Sequence, residues 1–92
     1  MIDFDGLEKG DIVYFARIMP KLGYYEVLEL KINTKKEDYC TGTDSKTTKQ
    51  MFLFSKEYAE NTLFTDRKHA VEYLKQKKVE NKDVKVIVGE KE

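Results

Sequence analysis

The chain has one histidine and one cysteine, the two side chains best suited to proton transfer and nucleophilic attack near neutral pH. His69 could serve as a general base, but it falls with Glu72 and Gln76 on the polar side of a predicted helix. It reads as a solvated helix residue. Cys40 sits in a short predicted strand with no basic neighbour in sequence to stabilise a thiolate. It reads as a buried, inert thiol. One His and one Cys cannot supply the four ligands of the usual zinc sites. The acidic cluster Asp3, Asp5 and Glu8 lacks the spacing of a calcium-binding loop. Glycine-rich nucleotide loops, a nucleophile elbow and a metalloprotease helix motif are all missing from the sequence. No catalytic, cofactor-binding or metal-ligating residue is therefore assigned, and the chain is expected not to be an enzyme.

Binding chemistry is better represented. Tyr14, Phe15, Tyr24, Tyr25, Tyr39, Phe52 and Phe54 could offer stacking platforms, although filling a small β core explains most of them first. Tyr24 and Tyr25 flank a turn and are the pair expected to be exposed. With Arg17 and Lys31 they form the candidate partner-binding set, because aromatic and Arg residues dominate protein interfaces. An alternative is a nucleic-acid face made by Arg67, Lys68, Lys75 and Lys78 on the predicted helix. Seventeen basic against seventeen acidic residues leave zero formal charge, which makes nucleic acid the less favoured partner.

The elements that must carry these residues follow from periodicity. In 12–19 both alternating sets, Ile12/Tyr14/Ala16/Ile18 and Val13/Phe15/Arg17/Met19, are largely apolar, which marks a central or strongly curved strand. Pro20 to Gly23 is a turn. From Tyr24 to Thr34, Leu28, Leu30 and Ile32 alternate with Glu29, Lys31 and Asn33, so one face is wet. Glu26 falls on the apolar side of that alternation and suggests a bulge near Tyr24-Tyr25 or an exposed strand end. Short strands are expected at Tyr39 to Thr43, Gln50 to Phe54 and Thr62 to Phe64, with an irregular or one-turn helical connection at Ser55 to Asn61. The segment before Lys9-Gly10-Asp11 is a lead-in loop whose Phe4 and Leu7 can pack down. Thr65 or Asp66 caps an amphipathic helix from Arg67 to about Lys78, with Ala70, Val71 and Leu74 at helical spacing.

Ninety-two residues suffice for one small core, read as a single domain over 1–78 with a C-terminal extension over 79–92. Val84, Val86 and Val88 alternate in that extension and could form an extra strand that pairs within the chain or builds a homo-oligomer. No apolar run nears the roughly 20 residues of a membrane span, and the opening MIDFDGLEKG lacks a basic and an apolar leader region. The unpaired cysteine agrees with a cytoplasmic expectation.

Several short stretches resemble small uncharacterised phage and prophage proteins of Gram-positive bacteria. They are Gly6-Leu7 with Lys9-Gly10-Asp11 and Val13-Tyr14, Tyr25-Glu26-Val27 with Glu29-Leu30-Lys31-Ile32, Phe52-Leu53-Phe54, and Phe64-Thr65-Asp66-Arg67-Lys68 with Ala70. The resemblance implies a mobile-element origin and an SH3-like barrel. It brings no site residue with it. The expected architecture is mainly β (α+β): a small SH3-like curved antiparallel β-meander or barrel of about five strands with one C-terminal helix. The expected role is a non-catalytic module binding a host or phage protein, with inhibition of a host defence protein as one form; the alternatives are a nucleic-acid binder and a virion or homo-oligomeric structural protein.

Overall fold

The computed structural model describes residues 2–44, 46 and 49–80. Strands β1 (Ile12–Met19), β2 (Tyr24–Lys35), β3 (Tyr39–Thr43) and β4 (Met51–Ser55) form an antiparallel meander. Helix α1 (Lys56–Thr62) then leads to β5 (Leu63–Phe64), and helix α2 (Arg67–Glu80) follows. β5 returns to the free side of β1, giving one five-stranded sheet in the order β4-β3-β2-β1-β5. The sheet is open, with β4 and β5 at its two ends. Among the described residues the protein is thus mainly β with two α-helices rather than one.

The opening hairpin forms because both its strands are rich in β-branched and aromatic residues and the turn chemistry suits them. Pro20 starts a tight 3-10 turn, and Gly23 closes it at φ 65°, a left-handed conformation that costs glycine little. β1 and β2 then pair without interruption from Met19↔Tyr24 to Ile12↔Lys31. Of the two expected readings of Glu26, the bulge at Tyr24-Tyr25 is not formed, and Glu26 lies three residues into β2, at the hairpin end of the strand. Glu26 sits on the side of Leu28 because Arg17 is directly opposite and the two form an ion pair at 3.8 Å. The irregularity falls instead between Ile32 and Thr34, where the pairing to β3 slips by one residue. Gly10, at φ 97°, donates its N–H to the Ile32 carbonyl and fastens the lead-in turn to β2.

Central β1 uses both faces, as its two apolar sets predict. Val13 and Phe15 join Leu30, Ile32, Cys40, Phe54 and Leu63 in the larger core. Its cover is supplied by Ile2, Phe4 and Leu7 from the lead-in segment and by Ala59 from α1. Phe15 meets Phe52 and Phe54 edge-on, at 5.3 and 4.9 Å between ring centroids, the geometry aromatic quadrupoles favour. On the opposite face Ala16, Tyr14, Ile18, Tyr25, Val27 and Phe64 receive Ala70, Leu74 and Tyr73 of α2.

Both helices begin with a side-chain cap. Ser55 accepts the Tyr58 N–H at 3.1 Å, and the connection expected to be irregular or one helical turn is a seven-residue helix with Ala59 and Thr62 buried. At α2, Asp66 accepts the His69 N–H at 2.9 Å and contacts the His69 imidazole Nδ1 at 3.0 Å. No helix among the described residues is long and apolar enough to cross a membrane. The valines at 84, 86 and 88, with most of the 79–92 extension, lie outside the described residues.

Candidate interaction surface

The residues expected to meet a partner do not converge on one patch. Side chains alternate along a strand, so Tyr24 and Tyr25 must leave the sheet on opposite faces. Arg17 and Tyr24 stand on the face of the larger core, at its open end. The Arg17 guanidinium lies 5.3 Å from the ring centres of both Tyr24 and Phe52, beside its ion pair with Glu26. The Glu26 carboxylate, hydrogen-bonded to the Tyr24 hydroxyl, pushes that phenol above its ordinary pKa. This is a self-satisfied cluster of half-buried groups.

Tyr25 packs on the other face with the core of α2. Its hydroxyl is buried and has no hydrogen-bond partner among the described residues, while the Lys78 ammonium lies 5.8 Å from its ring centre. The turn tyrosines are therefore half-buried, and the expectation of an exposed pair is corrected. Lys31 is exposed on the same side of the sheet as Tyr25.

That side is covered over only part of its width. α2 packs on β1, β2 and β5, and its two flanks are told apart by their contacts. Tyr73 reaches Phe64 on β5 at 5.2 Å. Arg67 and Lys78 lie over Tyr14 and Tyr25, at 5.4 and 5.8 Å, on the flank turned toward β2. At 3.6 residues per turn, Arg67, Lys68, Lys75 and Lys78 fall within an arc of about 100°. The four cations expected on one helix face do share it, and that flank borders the part of the sheet α2 leaves open.

The open floor is formed by the α2-side residues of β2, β3 and β4. Register places Ile12, Lys31, Thr43 and Met51 in one row across the strands, with Thr34, Thr41 and Leu53 in the next. Met51 is 61% and Leu53 67% exposed, although their neighbours Phe52 and Phe54 point into the larger core. Tyr39 extends the same apolar strip. Lys46 pairs with Glu29 at 3.3 Å beside it. Sequence reasoning passed over Met51 and Leu53, because alternation within Met51–Ser55 does not say which apolar set a helix will cover.

Cys40 and His69 are the remaining candidates. Burial pushes the Cys40 thiol upward in pKa, opposed by nearby Lys35, so the thiolate is disfavoured. His69 is exposed and occupied with Asp66. No group of metal-ligating side chains is assembled among the described residues. In comparisons with known proteins, the chain matches no family model, no curated protein and no solved structure.

Proposed function

We propose that the chain is a non-catalytic protein-binding module of phage or prophage type, and that it binds through the open half of the sheet. The carrying observation is the exposure of Met51 and Leu53 on one face of β4, on the side of the sheet that carries the cationic flank of α2. An apolar centre with a charged rim is the anatomy of a protein interface. The partner is then a host or phage protein with an acidic border, and occlusion of a host defence protein is the form of action this reading favours. Lys31 belongs to this surface, whereas Arg17 and Tyr24 lie on the opposite face. The meander, the short helix and the return of β5 to β1 support placing the sheet among SH3-like folds.

The shared flank of Arg67, Lys68, Lys75 and Lys78 favours a second reading, nucleic-acid binding. The two readings separate in one experiment: capture from host lysate at moderate salt, with and without nuclease. The wild-type chain is compared with a Lys31→Glu, Lys68→Glu, Lys75→Glu triple variant, whose altered residues are all exposed. A discrete protein that survives nuclease and is lost with the triple variant supports the protein-binding reading. Retention that nuclease abolishes, with affinity falling steeply as salt rises, moves the function to nucleic acid. Capture unchanged by the triple variant removes this surface from both readings.

A further inference from the structure

We propose that β4 is a self-pairing edge: two copies of the chain join antiparallel about Leu53, and their sheets become one. β4 closes one end of the sheet and runs Met-Phe-Leu-Phe-Ser, with no charge, no proline and a full register to β3. Edge strands usually carry such guards against pairing, and this one has none. At the other end β5 has only two residues.

The hydrogen-bond phase shows which groups face outward. The Asp44 N–H donates to the Gln50 carbonyl and the Lys56 N–H to the Asp38 carbonyl, each at 2.9 Å, on the same register as Gly42↔Phe52 and Cys40↔Phe54. In an antiparallel ladder residues alternate in the side to which they direct N–H and C=O. Phe52 and Phe54 therefore bond to β3, and Met51, Leu53 and Ser55 direct their backbone groups to the open edge.

A twofold axis at Leu53 makes that pattern complementary to itself. The Leu53 residues of the two copies exchange N–H and C=O, and each Ser55 N–H meets the Met51 carbonyl of the other copy. The Ser55 carbonyl is left to open α1. Charge favours the same occupant. Lys49 precedes the strand and Glu57 follows it, both exposed, so antiparallel pairing brings the cation of one copy to the carboxylate end of the other. Lys56 is already held by Asp5 at 3.4 Å, and zero formal charge leaves no net repulsion between copies. The axis also keeps both α2 helices on one side of the joined sheet. The two open floors then form a single trough walled by two basic flanks, which deepens the binding surface proposed above but does not depend on it.

Sedimentation equilibrium on the full chain, wild type and Leu53→Lys, tests the pairing. Leu53 is exposed, and the variant sets two lysines directly opposite each other across the axis. The expected result is a wild-type dimer and a variant whose dimer dissociation constant rises at least about tenfold. Leu53→Cys adds an independent reading. Directly opposed residues lie about 5.5 Å apart between Cα atoms, within disulfide reach, and buried Cys40 does not compete. Oxidation should then give a covalent dimer, and this arm decides the matter if Leu53→Lys fails to fold. A wild-type chain that stays monomeric to about 1 mM, an unaffected Leu53→Lys dimer, or a Leu53→Cys chain that does not cross-link would overturn the proposal. Because mass is measured without any partner, failure here leaves the partner-binding test untouched.

Discussion

Phe54 and Leu53 are consecutive residues of one strand, yet the first is fully buried and the second is two-thirds solvent. The contrast holds for the two faces of the whole sheet. One is roofed by the lead-in segment and α1 except at the hairpin end, where Arg17 and Tyr24 stand, and its aromatic rings interlock. Among the described residues the other has one helix, laid over β1, β2 and β5, and beyond it Met51 and Leu53 of β4 are exposed. A chain of this size can afford one complete core; the second face is stabilised only where α2 crosses it. Apolar surface left beyond that crossing is available for association.

Breaking the complete face should have the largest effect. Phe54→Ala opens a cavity among Phe15, Cys40 and Tyr58 and is expected to cost about 3–5 kcal/mol in chemical denaturation. Leu53→Ala, one residue away, should change the stability of the monomer by no more than about 0.5 kcal/mol when measured at low concentration. A comparable loss from both would remove the distinction between the faces.

Under the helix the interface is less well satisfied. Tyr25→Phe removes a buried hydroxyl that has no partner among the described residues, and it should raise stability by up to about 1 kcal/mol. A clear loss of stability would show that the hydroxyl is bonded in solution. The smallest effect concerns the start of α2. The His69 N–H hydrogen bond holds the Asp66 carboxyl below its ordinary pKa, so the charged form is favoured by folding. That contribution is complete above the unfolded carboxyl value of about 3.9 and is lost as pH falls through the lower folded value. Asp66→Ala should therefore lower the melting temperature slightly at neutral pH, and the gap from wild type should close in acid below that window.

Much of the architecture was legible because local signals agreed with one another. Two apolar sets in Ile12–Met19 announced a central strand, Pro20 and Gly23 the turn, and Thr65-Asp66 the start of α2. α1 was legible only as an irregular or one-turn helical connection, since seven residues give too little periodicity and the Ser55 cap that extends it is seen only once the backbone is placed. Glu26 left a bulge and an exposed strand end open as alternatives, because its partner, Arg17, is set by register rather than by neighbours in sequence. The site divided for the same reason. Tyr24 and Tyr25 are adjacent in the chain, and strand alternation puts them on opposite faces. The basic flank was found because helical spacing is local, while its place beside the open floor depends on how α2 crosses the sheet.

We propose that the open half of the sheet, rather than the hairpin cluster on the other face, meets the partner. Amide chemical-shift mapping of the full chain during titration with the captured partner tests this most directly. Binding through the open half should concentrate the shifts at Lys31, Thr41, Thr43, Met51 and Leu53, with the Lys68 and Lys75 flank of α2. Shifts confined to Arg17, Tyr24, Glu26 and Tyr58 would contradict it.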